Sequence, residues 1–589
     1  NWGNLRLRMP KKRTSKWIVV TSIQSPTEDV KKLASYPDWT LVVVGDTKTP
    51  ADWSFHDVHY LSIETQNAMG FESVKRLPTK SYTRKNAGYL YAIANGAEWI
   101  YDTDDDNKPF GKGLDQFDFA SDRTRGLRFT SLDEPASIQE SMFNPYRHFG
   151  RPDMWPRGFP LEYIKNHDHK DGSYRLCRVQ HPPAVQQGLV QKDPDMDAIY
   201  RLLHAELTSG LDESFNEFAP PVILAPGSYA PWNSQNTLFS QSAFFGLFLP
   251  TSVAFRVTDI WRCYYTQALL HAAGETVSFV PVNAIQQRNP HSYLKDFFEE
   301  IDVYGKSGAI VQFIDKWKCE AETMDRCAID LAGQFATQGF WSEEDTNLVV
   351  LWIRDLQKIG YTFPALRPGS RSEFPIGEDG DVRKNCRRAH ISLAYDLHVQ
   401  KAEPSEQRAA DKIKNFGDLK DWCDISHSNK SADWFFPAPD KLAKSTMESK
   451  QLSDNYKTVA IITNNWQWSM GMGMLQRMYE ANFAMIIFCG HYPTQGRDAD
   501  RKEFPEGMAD GDTSYPNLKR PINYIDLSNE EVSKGEFIYY CLAKVEEMKI
   551  QNVKGYAMFS DDCIFNFWNT LNLDLLQGVD REIKGVDYW

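Results

Sequence analysis

The hydrophobic pattern of the first hundred residues predicts strands that alternate with helices. Largely apolar runs predict strands at 16–23, 39–44, 59–63 and 98–101, and the first is apolar enough to be a buried strand. Segments 27–34 and 83–94 have helical features, and Gly96 lies where the second helix would end. Strands that alternate with helices form βαβ units, so we predict an α/β domain with a mostly parallel, Rossmann-like sheet.

The middle of the chain has a different pattern. An aromatic strand is predicted at 243–249 and a helix at 258–271, and helices fill most of 306–360. Residues 362–456 are rich in Pro, Lys, Asp and Ser, which indicates a linker.

The last part of the chain repeats the first. Strands are predicted at 458–463, 484–489, 522–527 and 555–559, and the final strand leads into the acidic pair Asp561-Asp562. We therefore predict three parts: an α/β domain at 1–305, a helical segment with a linker at 306–455, and a second, smaller Rossmann-like domain at 456–589.

An acidic run, Asp102 to Asp106, begins where the fourth predicted strand should stop. In extended backbone, residues i and i+2 point to the same side, so Asp102 and Asp104 are expected to face one cation. Mg²⁺ typically binds one or two carboxylates together with substrate phosphates, which predicts a metal–diphosphate site. A calcium-binding EF-hand loop is excluded, because Asn107 stands at its glycine position and Gly113 at its glutamate position. A solvated acidic turn remains the alternative.

Other polar residues are expected along the same sheet edge, where ligands of open α/β sheets bind. Thr21 and Asp46 lie at the ends of the first two strands and are candidates to bind the nucleoside. Arg84 and Lys85, at the start of a helix, are candidates to neutralise phosphate charge, and the alternative is a surface dipeptide. Asp259 lies in the first turn of its predicted helix, where helix capping is the alternative to a functional role.

Composition narrows the classes of function. The 589 residues carry a net charge of −13, which argues against a nucleic-acid-binding protein. Nine cysteines without a CxxC motif suggest no zinc site. No apolar run is as long as a membrane span. The chain begins at Asn1 with a basic segment close behind, so we expect a fragment whose N-terminal membrane anchor is missing.

Several motifs resemble the STELLO family of Golgi glycosyltransferase-like proteins. They occur in the same order as in the family and cover most of the chain: Trp17 to Asp105, Trp155-Pro156-Arg157-Gly158, Gln186-Gln187-Gly188, Pro194-Asp195-Met196-Asp197, Asn233-Ser234-Gln235-Asn236-Thr237 and Asn566-Phe567-Trp568-Asn569. The resemblance implies a GT-A fold, a nucleotide-sugar donor and a lumenal catalytic part on a type II membrane anchor.

The resemblance also implies roles for single residues. Asp102 and Asp104 would hold Mn²⁺ or Mg²⁺ against the diphosphate of the donor. Asp259 would be the base of an inverting enzyme, and Asp195 and Asp197 are rival bases or acceptor-binding residues. His291 stands where GT-A enzymes often have a late metal or diphosphate ligand.

Two functions from different classes are consistent with the sequence. The first is a metal-dependent, inverting glycosyltransferase that transfers a sugar from a UDP-sugar to a glycan or glycoprotein, alone, as a homo-oligomer or within a glycan-synthesis complex. The second is a non-catalytic Golgi assembly or trafficking protein built on a retained GT-A fold. A nucleotidyltransferase would need a Gly-rich loop after the first strand, and Thr21 to Ser25 is not one.

Overall fold

The computed structural model describes residues 14–130, 138–165, 174–287, 292–367, 385–391, 457–464, 472, 475, 476, 479, 483–490, 523–527, 531 and 537–563. These residues fold into two compact units. The first unit contains the described residues within 1–173, 179–215 and 221–385. The second contains those within 174–178, 216–220 and 386–589. Most of the predicted linker lies outside the described residues.

The strands up to residue 286 are β1 (Lys16–Thr21), β2 (Trp39–Val44), β3 (Val58–Leu61), β4 (Trp99–Thr103), β5 (Asn107–Pro109), β6 (Thr124–Phe129), β7 (Tyr174–Gln180), β8 (Val185–Lys192), β9 (Val222–Leu224), β10 (Asn236–Ser240) and β11 (Val277–Gln286). Residues 174–178 of β7 belong to the second unit. The sheet of the first unit has the order β3-β2-β1-β4-β10-β8-β11-β9-β6, and β5 pairs with β11.

The helices up to residue 358 are α1 (Glu28–Ala34), α2 (Ile63–Ala68), α3 (Glu72–Arg76), α4 (Lys85–Ala94), α5 (Ile138–Ser141), α6 (Pro145–His148), α7 (Ala198–His204), α8 (Thr258–Ala273), α9 (Tyr293–Glu299), α10 (Ile301–Lys316), α11 (Met324–Thr337) and α12 (Glu343–Lys358).

The predicted βαβ units are confirmed. Strands β3, β2, β1 and β4 run parallel to one another, so their carboxyl ends lie along one edge of the sheet. Strand β10 is antiparallel to β4 and to β8, and this makes the complete sheet mixed.

Helices cover both faces of the parallel strands. Ile18 and Val20 pack with Val30 and Leu33 of α1 in one buried cluster. Val19 points to the opposite face, towards α4, because side chains alternate along a strand. A Cβ on Gly88 of α4 would lie 2.7 Å from Val19 Cγ1 and 2.5 Å from Val44 Cγ2, so only glycine permits this close approach.

One strand prediction is wrong. The aromatic run at 243–249 is not extended; residues Gln241–Leu247 form a 3-10 helix. Phe244, Phe245 and Leu247 are all buried, so the run is apolar because it is enclosed on several sides. A short apolar run without periodicity does not distinguish a strand from a buried helical segment.

Helices α10, α11 and α12 belong to the first unit. The Asp345 carboxylate of α12 accepts hydrogen bonds from the backbone nitrogens of Thr251 and Ser252, at 2.6 and 2.9 Å. The Asp355 carboxylate caps α3 by accepting from the backbone nitrogen of Ser73 at 2.8 Å. Among the described helices, none is long and apolar enough to cross a membrane.

The second unit repeats the strand order of the first. Its further elements are β12 (Cys386–His390), β13 (Thr458–Asn464), β14 (Met485–Gly490), β15 (Asn523–Asp526), α13 (Phe537–Glu547) and β16 (Gly555–Ser560). The order β15-β14-β13-β16, all parallel, corresponds to β3-β2-β1-β4 in the first unit. The predicted repeat is therefore confirmed at the level of topology. Strand β12 pairs antiparallel with β15 and with β7.

Candidate functional site

A cavity of about 640 Å³ opens at the carboxyl ends of β1, β2 and β4 in the first unit. Its volume lies in the range typical of small-molecule sites. The polar and charged residues on its wall are Thr21, Ser22, Asp46, Lys48, Lys80, Ser81, Tyr82, Thr83, Arg84, Asp104, Asp105, Asp106, Arg157, Thr251, Arg256, Thr258, Asp259, Gln286 and Asp296. Thr21, Asp46, Arg84, Asp104 and Asp259, all predicted site residues, are thus brought together.

The acidic run does not begin where β4 ends. Strand β4 continues to Thr103, and Asp102 pairs in register with Val19 on one side and Thr237 on the other. Asp102 is therefore within a central strand of the sheet, and its side chain is completely buried. Asp102 is not part of the cavity wall formed by the described residues. The structure thus places Asp102 away from the cavity, and its role as a metal ligand stays a prediction.

Both oxygens of Asp102 already have cationic partners. Lys85 Nζ lies 2.7 Å from Oδ1 and Arg262 Nη1 lies 2.9 Å from Oδ2, and all three side chains are buried. Lys85 Nζ also donates to the backbone oxygen of Thr103 at 2.7 Å. The Lys85 ammonium is thus buried among protein acceptors in this structure, and its contact with phosphate stays a prediction.

The cavity receives the next three carboxylates, Asp104, Asp105 and Asp106. Asp104 Oδ1 accepts from the Tyr82 hydroxyl at 3.1 Å, and its side chain is 31% exposed. Burial raises the pKa of the Asp104 carboxyl to about 7; Lys85 opposes the rise and the neighbouring carboxylates add to it. Asp105 Oδ2 accepts from the Ser22 hydroxyl at 2.6 Å, and burial raises its pKa as well. Asp106 Oδ1 accepts from Gln286 Nε2 at 2.8 Å.

Asp104 and Asp106 are a suitable donor set for a cation that is shared with a substrate. Among the described residues, no group of three or more His, Cys, Asp or Glu side chains is arranged to hold a metal ion. Mg²⁺ usually binds through one or two carboxylates with substrate phosphates and water completing its shell. The residues present therefore fit a cation that arrives with a diphosphate, and they do not form an all-protein cage.

Thr21, Asp46 and Arg84 lie on the cavity wall as predicted. The Asp46 carboxylate accepts from the backbone nitrogens of Thr47, Lys80 and Ser81, at 2.6 to 2.9 Å. Burial alone would raise the pKa of Asp46, but these hydrogen bonds outweigh burial and lower it. Asp46 thus remains a carboxylate and holds the 80–81 loop in place.

The Arg84 guanidinium is buried and only partly satisfied. Its Nε donates to Gln66 Oε1 at 2.6 Å and its Nη1 to the Leu77 oxygen at 3.0 Å. Its Nη2 has no hydrogen-bond partner among the described residues. A buried guanidinium with an unmet donor beside a cavity is suited to donate a hydrogen bond to a ligand oxygen.

Asp259 is held by Arg157 of the Trp-Pro-Arg-Gly motif. Arg157 Nη1 lies 3.0 Å from Asp259 Oδ1 and Nη2 lies 2.9 Å from Oδ2, and the same guanidinium bonds both oxygens of Asp195. Gly158 makes this possible: its φ is +92°, and a Cβ there would lie 2.5 Å from Ile260 Cγ2 of α8. Asp259 therefore faces the cavity in a fixed orientation.

The cluster around Asp195 has structural roles. Arg201 Nη1 lies 2.6 Å from Asp193 Oδ1, and Asp195 is buried against Arg157. Asp197 caps α7 by accepting from the Tyr200 nitrogen at 2.9 Å, and it accepts from Trp155 Nε1 at 2.6 Å. Among the described residues, Asp195 and Asp197 are not part of the cavity wall, so their predicted roles as bases are not supported. His291 lies outside the described residues.

Sequence reasoning missed several residues of the site. Asp105 and Asp106 belong to the acidic run. The strand was predicted to end before Asp102, and this favoured Asp102 and Asp104 as metal ligands. Arg157 was visible within a family motif but had no assigned partner. Phe255 and Arg256 carried no signal, because their position on the cavity wall depends on where α8 packs.

Comparisons with known proteins agree with the motifs. The model of the STELLO glycosyltransferases matches residues 256–587, which is more than half of the chain. "Probable glycosyltransferase STELLO1" of Arabidopsis thaliana is 34% identical over 379 residues, covering 62% of this chain and 48% of the relative. "Probable glycosyltransferase STELLO2" of the same plant is 33% identical over 397 residues, covering 64% and 51%. The chain spans about half the length of these curated relatives. It belongs to the STELLO family of glycosyltransferases.

Proposed function

We propose that the chain is a metal-dependent glycosyltransferase of GT-A type that transfers a sugar from a nucleotide-sugar donor, a UDP-sugar in our proposal, to a glycan or glycoprotein. The observation that carries this proposal is the shared cavity: Asp104 and Asp106 line the same space as Arg84 and Asp259. Carboxylates for a cation, a guanidinium for an anionic or carbonyl oxygen, and a second carboxylate are the groups that this reaction needs.

The donor would bind along the ends of the parallel strands. Thr21 and Asp46 would contact the nucleoside, and Arg84 Nη2 would donate to one of its oxygens. Lys48 and Lys80 lie on the same wall and are exposed, so they can approach phosphate oxygens. Each of these side chains binds and orients the donor before any bond is broken.

Mn²⁺ or Mg²⁺ would be held by Asp104 and Asp106. When bound, such a cation neutralises the diphosphate and stabilises it as the leaving group. Tyr82 orients Asp104 through its hydroxyl at 3.1 Å, and Gln286 orients Asp106 at 2.8 Å. The buried Lys85 ammonium lies 3.4 Å from Asp104 Oδ1 and favours the charged form of this carboxylate.

Asp259 would face the acceptor hydroxyl and take its proton as the hydroxyl attacks the donor in line. The ion pair with Arg157 keeps the carboxylate oriented, with Ser234 N donating to Oδ2 at 3.2 Å. The fixed carboxylate would first orient the acceptor hydroxyl and then take its proton as the new bond to the sugar carbon forms. Inversion at the sugar carbon is part of this proposal.

We propose that the protein lies in the lumen of the Golgi. Three disulfides lie within the described residues: Cys177–Cys386, Cys319–Cys327 and Cys489–Cys541. Such bonds persist in oxidising compartments and are rare in the cytosol, which supports a position in the secretory pathway.

A second candidate function is non-catalytic assembly with other proteins, including further copies of this chain. One observation favours it. Large apolar side chains are exposed on and beside α7 and α9: Leu202, Leu203, Leu207, Leu294, Phe298 and Ile301. Concentrations of exposed apolar side chains are typical of interaction surfaces.

The two functions are separated by calorimetric titration of UDP-sugars and GDP-sugars in the presence of Mn²⁺ or EDTA. We expect one nucleotide class to bind with Mn²⁺, and to bind at least about tenfold more weakly with EDTA or in Asp104→Ala. Asp122→Ala, an exposed carboxylate away from the cavity wall, is the matched control and should bind as the wild type does. If no nucleotide binds to the wild type, the donor site is refuted and assembly becomes the better interpretation.

A further inference from the structure

Phe255 is an apolar side chain held at the mouth of the polar cavity. It lines the cavity four residues before Asp259, yet its side chain is 60% exposed. Single exposed apolar residues on a protein surface need no explanation. An exposed phenyl ring on the wall of a candidate active site is different, because ligand binding there would cover it.

The segment that carries Phe255 is fixed at both ends. The Asn86 side chain bonds both backbone groups of Leu249, at 2.9 and 3.0 Å. Thr251 and Ser252 are held by Asp345, and the Val257 nitrogen donates to the Ala254 oxygen at 2.9 Å. The ring is therefore presented by a rigid segment, which reduces the ordering that a ligand would otherwise have to impose.

Tyr82 connects the ring to the acidic run. The two rings meet edge to face, with centroids 5.6 Å apart and an interplanar angle of 84°. The Tyr82 hydroxyl donates to Asp104 and accepts from Lys85 Nζ at 3.0 Å. Phe255 is thus adjacent to the proposed diphosphate site, and it lines the same cavity as Asp259.

We propose that Phe255 is a platform for a hexopyranose ring in this cavity. A pyranose has an apolar face of C–H groups, and the negative face of an aromatic ring attracts such hydrogens. Carboxylates on the same wall, Asp259 and Asp296, accept hydrogen bonds from the equatorial hydroxyls of a ring that lies on the phenyl face. This inference rests on the proposed function and adds a specificity-determining residue to it.

The stacked sugar is either the sugar of the donor or that of the acceptor, and two binding measurements distinguish them. Calorimetry with Mn²⁺ compares UDP with UDP-glucose, UDP-galactose and UDP-N-acetylglucosamine. Saturation-transfer NMR titrates free methyl glycosides of glucose, galactose and mannose. Each is carried out on the wild type, Phe255→Ala, Phe255→Trp and Phe298→Ala. Phe298 is 66% exposed on α9 and is not on the described cavity wall, so it is the matched control.

We expect Phe255→Ala to weaken sugar binding about five- to tenfold, and Phe255→Trp and Phe298→Ala to preserve it. If Phe255→Ala loses the additional affinity of UDP-sugars over UDP, the phenyl ring stacks on the donor sugar. If it loses binding of the methyl glycosides, the phenyl ring stacks on the acceptor sugar. Equal behaviour of Phe255→Ala and Phe298→Ala in both measurements overturns the proposal. The proposal is also overturned if the wild type binds UDP, but the UDP-sugars bind no more tightly than UDP and no methyl glycoside binds. Failure of the wild type to bind UDP refutes the donor site instead, and the glycoside titration then decides the platform separately.

Discussion

Lys85 Nζ lies 2.7 Å from Asp102 Oδ1, and both side chains are completely buried. The same ammonium is 3.4 Å from Asp104 Oδ1. Both carboxylates therefore contact the Lys85 ammonium, whereas their spacing predicts that they share a metal ion. The two carboxylates therefore differ in environment: Asp102 is buried in an ion pair, and Asp104 faces the cavity.

Asp102→Asn should lower the free energy of unfolding by about 3–5 kcal/mol, because Lys85 and Arg262 would then be buried without their shared anion. Asp104→Asn should change it by less than about 1 kcal/mol, since Asp104 is partly exposed. Denaturant unfolding followed by tryptophan fluorescence measures both. An Asp102→Asn variant with unchanged stability but no Mn²⁺-dependent nucleotide binding would return Asp102 to the role of metal ligand.

Arg157→Lys should destabilise the protein by about 3 kcal/mol, because a lysine ammonium cannot form the paired contacts that Arg157 makes with Asp195 and Asp259. Arg354→Lys, at an exposed position on α12, should stay within about 0.5 kcal/mol of the wild type. The same unfolding experiment compares them. Equal stability of the two variants would show that the bridge between Asp195 and Asp259 contributes little.

Arg84→Gln should weaken UDP binding about tenfold if Nη2 donates to the nucleotide. Arg76→Gln, at an exposed position on α3, is the control for loss of positive charge near this part of the chain. Calorimetry with Mn²⁺ gives the dissociation constants, and thermal unfolding shows whether the variants remain folded. A folded Arg84→Gln variant with wild-type affinity would remove Arg84 from the donor site.

The stability contributed by Asp197 should depend on pH. Burial raises the pKa of its carboxyl from 3.8 to about 6, although the Tyr200 nitrogen and the Trp155 indole lower it in part. The folded state then binds a proton more tightly than the unfolded state, so protonation stabilises the fold as the pH falls through 6. Asp197→Asn keeps an N-cap acceptor but does not titrate.

We therefore expect the wild type to gain about 1 kcal/mol relative to Asp197→Asn between pH 7.5 and pH 5. Unfolding free energies of both proteins at a series of pH values test this. The exposed substitution Asp122→Asn is the control, and its difference from the wild type should not follow the same titration. A constant difference between the wild type and Asp197→Asn would contradict the raised pKa.

The sequence alone determined the parallel strands and their repeat. Apolar runs of strand length fixed β1, β2 and β4, and the second series predicted β13, β14 and β16 at nearly the same bounds as observed. These elements are local: their periodicity and length can be read without knowing what covers them. The family was likewise evident from short motifs.

The tertiary structure alone decided which carboxylates reach the cavity. Strand β4 continues through Asp102 because β1 and β10 offer pairing partners on both sides, at Val19 and Thr237. Lys85 and Arg262 then arrive from α4 and α8, which are far apart along the chain. A sequence pattern gives the charge and spacing of acidic residues, but burial and counter-ions depend on long-range packing. Among the described residues, that packing places Asp104, Asp105, Asp106 and Asp259 on the cavity wall and keeps Asp102, Asp195 and Asp197 away from it.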